Sequence, residues 1–155
     1  MTPLYIFDLD GTIALNDHRQ HYLEDREDPR RWEKFFAACD KDTPNGPVID
    51  TMCDLRNAGA DVWVFSGRSD EVAEETYGWL RRHVPGVTAN YQWFRLRMRE
   101  AGDYTPDDVL KLKWHAEMSP EDRTRLVAVF DDRDKVVEMW RSAGVACFQV
   151  ARGAF

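Results

Sequence analysis

At 155 residues, with 43% hydrophobic and 32% charged side chains, the chain has the size of one ordinary domain with its own core; disordered tails and membrane proteins are not composed this way. Lys and Arg number 21 against 28 Asp and Glu, a net charge of −7, which excludes a protein held on nucleic acid or anionic lipid by its overall field and leaves only local patches. No apolar run approaches the ~20 residues of a bilayer span, so no membrane partner is expected.

Met1 to Thr12 lack a basic segment followed by an apolar stretch. No targeting segment is expected there, and the cytoplasm is the expected location. Cys39, Cys53 and Cys147 are odd in number, far apart and free of any CxxC or Cys/His spacing, so reduced thiols are expected in place of disulfides or structural zinc.

In chain order, Leu4 to Phe7 is a short apolar run ending in the polar loop Asp8-Leu9-Asp10-Gly11-Thr12, the pattern of a buried strand. Residues 14–46 break the rhythm that follows. They hold two expected helices, around Asp17 to Asp25 and from Pro29 to Ala38, and read as a small helical cap inserted after the first strand. Pro47 opens a helix carrying Val48, Ile49, Met52 and Leu55, closed by Gly59. Val62 to Phe65 is a second buried strand, delivering Ser66-Gly67-Arg68. Ser69 or Asp70 caps a helix to about His83, and a weaker strand is expected from Asn90 to Phe94. Thr105, Pro106 and Asp107-Asp108 announce a helix with Val109, Leu110 and Trp114. Leu126 to Phe130 is a third apolar strand, ending in Asp131-Asp132-Arg133. Asp134 caps a helix with Val136, Val137, Met139 and Trp140 that stops near Gly144, and Ala146 to Val150 is a last, weaker strand. Strands alternating with helices imply an α/β fold, a Rossmann-like parallel sheet covered on both faces with ligands at the strands' carboxyl ends. One domain over 1–155, with 14–46 as its cap, is expected.

The three polar loops then meet at one edge. Phosphoryl transfer through an aspartyl intermediate needs a carboxylate nucleophile, an acid/base, a divalent cation and fixed positive charge. Asp8 and Asp10 meet both carboxylate demands if the turn at Gly11 folds the second beside the first. Asp131 and Asp132 add hard oxygen ligands that suit Mg²⁺ better than zinc, and Ser66, Arg68 and Lys111 are placed to hold phosphate oxygens.

The ordered motifs Asp8-Leu9-Asp10-Gly11-Thr12, Ser66-Gly67-Arg68, Asp107 to Lys111 and Asp131-Asp132 resemble those of the haloacid-dehalogenase-like (HAD) phosphatases. Within that superfamily the chain is similar over nearly its whole length to the 3′-phosphatase domains of bacteriophage-type polynucleotide kinase/phosphatases, most sharply from Asp131 to Arg141. The resemblance implies a phosphoaspartate on Asp8, which also binds Mg²⁺. It implies a general acid at Asp10, whose backbone carbonyl is a metal ligand, and a phosphate contact at Ser66 within the Ser66-Gly67-Arg68 loop. Lys111 becomes the cation beside the nucleophile, Asp131 a metal ligand, and Asp132 an acidic partner of the metal's water or of Lys111. Arg19, Arg68, Arg99 and Asp107 fall where those domains have functional side chains. The Trp32 to Phe36 segment departs from the two-domain enzymes and leaves substrate range open.

Plainer readings stand beside these. Lys113 rivals Lys111, although the Asp107-to-Lys111 spacing favours Lys111, and Arg19 and Arg99 read equally as surface charges. Trp32, Phe35 and Phe36 read as cap packing or as a base-stacking platform. His18, His21, His83 and His115 show no ligand spacing. Arg81, Arg82, Arg95, Arg97 and Arg99 lie in a stretch without Asp or Glu, with Tyr91, Trp93 and Phe94 beside them. This is what a single strand of nucleic acid uses, or else a core strand with an arginine-rich exit. The expected function is Mg²⁺-dependent removal of 3′-phosphates from nucleic-acid ends. The alternatives are a mononucleotide or other small-molecule phosphatase, or a phosphoacceptor module without enzymatic activity. No GxxxxGK[ST] occurs, so no kinase activity is expected.

Overall fold

The computed structural model describes residues 1–87 and 93–154. The chain opens with β1 (Leu4–Phe7), then β2 (Ala14–Leu15), α1 (His21–Glu24), α2 (Arg31–Ala37), β3 (Thr43–Pro44) and α3 (Gly46–Asn57). β4 (Asp61–Ser69), α4 (Ala73–His83) and β5 (Phe94–Arg99) follow, then α5 (Asp107–Glu117) and α6 (Pro120–Arg125). β6 (Leu126–Asp131), α7 (Asp134–Ser142) and β7 (Cys147–Gln149) complete the order. None of these helices is long and apolar enough to cross a membrane.

Five strands form one parallel sheet in the order β5-β4-β1-β6-β7. The central β1 is apolar throughout because both of its faces are covered. Leu4 and Ile6 pack with Leu110 and Trp114 of α5 and Val136, Val137 and Trp140 of α7. Phe7 packs on the opposite face with Ile49 and Met52 of α3 and Trp79 and Leu80 of α4. β4 alternates in the same way, Trp63 and Phe65 to the first face and Val62 and Val64 to the second. Each fully buried side chain of this size contributes roughly 1.5–3 kcal/mol. This is the α/β architecture with helices on both faces that the alternation of elements implies.

The chain runs from β1 to β4 and β5 on one side and then crosses to β6 on the other. The crevice at such a reversal, above the carboxyl ends of the strands, is where α/β sheets place ligands. Asp8 and Asp131 stand on either side of it.

Several boundaries differ from those the sequence predicts. β4 continues through Ser66-Gly67-Arg68 to Ser69, with its pairing to β5 shifted between Ser66 and Ser69, so the expected loop is the irregular end of a strand. β5 starts at Phe94, where the expected strand was to end, and the expected Asn90 to Gln92 and Tyr91 fall outside the described residues. α5 starts at Asp107 with Pro106 at its cap, one residue later than expected, and α7 at Asp134 with Arg133 at its cap, one residue earlier than expected. α6 was not anticipated, although the signal is present: the Ser119 hydroxyl accepts from the Asp122 amide at 3.0 Å, with Pro120 in the first turn.

Between β1 and α3, β2 and β3 pair antiparallel and bracket the intervening segment. The first expected helix is there a 3₁₀ turn (Asp17–Arg19) followed by the single turn α1. The segment leans on α4, whose Trp79 Nε1 donates to the Asp42 carbonyl at 2.8 Å and whose Arg82 donates to that of Asp40 at 3.0 Å.

Candidate active site

β1 ends by handing the Asp8 amide to the Phe130 carbonyl of β6 at 2.8 Å. The chain then turns sharply, the Leu9 carbonyl accepting from the amides of Thr12, Ile13 and Ala14. Gly11 takes φ +84 in this turn, and a Cβ on it would lie 2.3 Å from Asp132 Oδ2. The glycine is required twice over, by its dihedral and by the approach of a second acidic loop. Thr12, fully buried, donates toward Asp8 at 3.4 Å and Asp132 at 3.3 Å.

Asp8, Asp131 and Asp132 are buried, with carboxylate oxygens all within 4.8 Å of one another. Lys111 of α5, 1% exposed, enters this group. Its Nζ lies 2.7 Å from Asp8 Oδ1, 2.9 Å from Asp131 Oδ2 and 3.4 Å from Asp107 Oδ2. Burial works against its charge, but Asp131, Asp8 and Asp107 outweigh burial and hold its pKa well above the usual value. Asp8 is pushed well up, by burial first, with Lys111 opposing and Asp131 and Asp132 adding to the rise. Burial and then Asp131 push Asp132 to about 6, against Lys111. Three carboxylates on one ammonium are short of positive charge. Lys113, its rival in sequence, is exposed and lies 3.9 Å from Glu117.

Asp10 faces the other way. Its carboxylate accepts from Arg68 Nη2 at 2.6 Å and Nε at 3.3 Å and also from Arg19 Nη2. Burial alone pushes its pKa up, but Arg68 and Arg19 prevail and bring it to about 2. Both guanidiniums are essentially buried, Arg19 at 0% and Arg68 at 1% exposure, so neither is a surface charge. Asp42, which no motif marks and whose Lys41-Asp42-Thr43 surroundings read as an ordinary turn, completes the group. It accepts from Arg19 Nε at 2.7 Å and Nη2 at 2.6 Å, from Arg68 Nη2 at 3.1 Å, and lies 2.8 Å from His18 Nε2. Asp10, Arg19, Asp42 and Arg68 thus form a closed ring of alternating charge that joins the inserted segment to the sheet edge.

Ser66 is fully buried and accepts from the Arg68 amide at 3.2 Å. Gly67 meets Asp107 so closely that a Cβ would lie 2.1 Å from its Oδ1. Arg99 does not read as a surface charge either, nor is its guanidinium turned outward. It donates to the carbonyls of Gly67 at 2.8 Å, Thr105 at 2.5 Å and Asp103 at 3.3 Å, and reaches Asp107 at 3.5 Å. Arg99 therefore braces the end of β4 against the segment that leads into α5. Arg95 and Arg97 lie over Trp63 and Trp114, and Arg97 pairs with Glu117. The three cysteines are free, and among the described residues the cluster of metal-ligating side chains contains no histidine.

A parallel sheet whose central strand ends in Asp-x-Asp, flanked by a serine strand end, a buried lysine and a pair of acids, defines a HAD-type phosphatase. The family described as the polynucleotide kinase PNKP phosphatase domain matches residues 2–155. The chain belongs to that family and is a phosphoric monoester hydrolase. It is 31% identical over 147 residues to a protein of Autographa californica nuclear polyhedrosis virus described as a bifunctional polynucleotide kinase/RNA ligase. That match takes in 94% of this chain and 19% of that protein. A chain in a structure of the Pnkp1/Rnl/Hen1 RNA repair complex superposes with a TM-score of 0.78 at 29% identity, over 99% of this chain and 44% of that one. The class C acid phosphatase from Bacillus anthracis (TM-score 0.65, 15% identity, 99% of this chain and 68% of that one) shares the fold. The chain thus spans a fifth to a half of the length of its closer relatives.

Proposed function

We propose that this chain removes 3′-phosphates from nucleic-acid ends through a phosphoaspartate on Asp8, with Mg²⁺ as cofactor. The observation that carries the chemistry is the placing of two aspartates two residues apart in opposite electrostatic settings, Asp8 against Lys111 and Asp10 between two arginines. The substrate class rests on family membership and on relatives whose descriptions name polynucleotide kinases and RNA repair.

In the first step an Asp8 carboxylate oxygen attacks phosphorus, the bond to the 3′ oxygen breaks, and Asp10 gives that oxygen its proton. In the second, water attacks the phosphoaspartate, Asp10 takes a proton from it, and inorganic phosphate leaves. In the resting site Asp10 is ionised, the form the second step needs. Phosphate oxygens compete for the same Arg19 and Arg68 donors, and drawing those donors off Asp10 favours the protonated form that the first step needs. Ser66 and Lys111 supply further phosphate contacts, and Asp42 keeps both arginines aimed at the site.

The donor set fits Mg²⁺: hard carboxylate oxygens of Asp8, Asp131 and Asp132 converge where positive charge is short. Asp132 thus stands among the acids that would hold the ion, and only the backbone of Asp10 remains for it, its side chain being engaged by the arginines. Bound there, the ion supplies positive charge to the phosphate oxygens.

The deciding experiment compares phosphate release from 3′- and 5′-phosphorylated oligonucleotides and from the corresponding mononucleotides, with and without Mg²⁺. A preference for 3′-phosphorylated oligonucleotides is expected. Equal or better turnover of mononucleotides at low salt replaces this reading with a small-molecule phosphatase. Asp10→Asn is expected to cost ~10²-fold or more on an alkyl phosphate and much less on an aryl phosphate, whose leaving group needs little protonation. Equal losses on both remove Asp10 from the acid role.

A further inference from the structure

The aromatic residues of α2 divide into two kinds. Phe35 is buried at 4% exposure, its ring 4.1 Å from the Arg19 guanidinium carbon and its carbonyl accepting from Arg19 Nη1 at 3.1 Å. Trp32 is 46% exposed. Its indole meets Phe35 edge-on and lies near-parallel over Phe36, ring centroids 5.9 Å apart in both cases. Phe35 is therefore packing, while Trp32 presents indole surface to solvent from a two-ring base that already fixes its orientation.

The same contacts give the platform a place in the reaction. Arg19, against Phe35, also donates to Asp10, the group that handles the leaving oxygen in the reading above. One guanidinium thus separates the leaving-group side of the site from the aromatic cluster. Tyr104, a more exposed ring at 90% exposure, has no such connection. Its loop is held by Arg99, which leads to Gly67 and Asp107, on the phosphate side.

We propose that the nucleobase of the leaving nucleoside stacks on Trp32, so that this residue of the inserted segment selects substrates with a base next to the 3′-phosphate. The proposal rests on the nucleic-acid-end reading. An indole face accepts any base, so the selectivity is for a base and not for a sequence. Because Phe35 and Phe36 hold the ring in place beforehand, little side-chain freedom is lost on stacking.

The test uses three substrates: an oligonucleotide with a 3′-phosphate on an intact terminal nucleotide, the same oligonucleotide with an abasic 3′-phosphate terminus, and an alkyl phosphate. Trp32→Ala is expected to raise KM about tenfold for the first, equivalent to about 1.4 kcal/mol and within the range of base–aromatic stacking. Its kcat should hold, and its effect on the other two substrates should stay within about twofold. Trp32→Phe should recover most of the loss, and Tyr104→Ala should not reproduce it. No KM change for the base-bearing substrate in Trp32→Ala, equal losses on the abasic substrate, or the loss appearing in Tyr104→Ala instead overturns the platform while leaving the nucleic-acid reading intact. A wild-type protein that turns over the alkyl phosphate as well as either oligonucleotide overturns that reading, and the platform with it.

Discussion

Two groups of charges meet above the carboxyl end of β1, built from the same kinds of residue and balanced in opposite ways. Asp8, Asp131 and Asp132 share Lys111, and the shortage of positive charge, together with burial, pushes Asp8 and Asp132 up. Asp10 and Asp42 share Arg19 and Arg68, two acids on two cations, and Asp10 is brought to about 2. The first group is built to be completed by a cation. The second is complete in itself and gives up donors only to a competing anion. Two aspartates two residues apart thus acquire different chemistry from their partners alone.

Replacing the nucleophile tests the contrast most sharply. Asp8→Asn is expected to lower phosphate release at least ~10³-fold, as loss of a covalent nucleophile does elsewhere. Urea unfolding without added Mg²⁺ should show no loss of stability, because one of three crowded carboxylates has gone. Retained activity removes the phosphoaspartate, and a large stability loss means the first group is balanced after all.

Asp42→Ala should do the reverse, leaving Arg19 and Arg68 with one carboxylate between them. Breaking a buried pair in this way costs ~3–5 kcal/mol, read as a lower urea midpoint. A loss under 1 kcal/mol would mean that solvent already screens the ring.

A smaller effect follows from Asp10. Its pKa falls from the ordinary 3.8 to about 2 in the folded chain, so it contributes about 2 kcal/mol of stability. Because the folded value is the lower one, that contribution is fully present above pH 4 and is lost as the pH falls toward 2. Asp10→Asn should therefore be about 2 kcal/mol less stable than the parent at pH 7 in urea titrations, with the gap shrinking between pH 4 and pH 3. A gap independent of pH would show that the two arginines do not depress Asp10.

The smallest expected effect concerns the edge strand. If Arg95 and Arg97 contact upstream phosphates, replacing both with Ala raises KM for oligonucleotides, leaves mononucleotides nearly unchanged, and flattens the log–log salt slope by about 0.7 per lost contact. Because Arg97 already pairs with Glu117 and both arginines lie over tryptophans, an unchanged slope would assign them to packing.

The sheet and the residues at its edge were legible because they are local. Leu4 to Phe7, Val62 to Phe65 and Leu126 to Phe130 are apolar runs that only a strand covered on both faces accommodates, and each ends where polar groups begin. Helix starts shifted by a residue because Pro106 and Arg133 took the cap positions, a choice that depends on how each loop meets the sheet. Motif order placed Asp8, Asp10, Ser66, Lys111 and Asp131 at the crevice, and spacing favoured Lys111 over Lys113.

What the tertiary structure alone decided is which charge faces which. Arg19 and Arg99 carried identical prospects in the sequence; one is walled in beside Asp10, the other is spent on three backbone carbonyls. Asp42 carried none, yet it joins both arginines across a separation of 23 and 26 residues. Such pairings follow from the crossing of strands and the seating of the inserted segment on α4. Local propensity cannot encode them, because the energy of a buried charge is set by whatever the fold brings within a few ångströms of it.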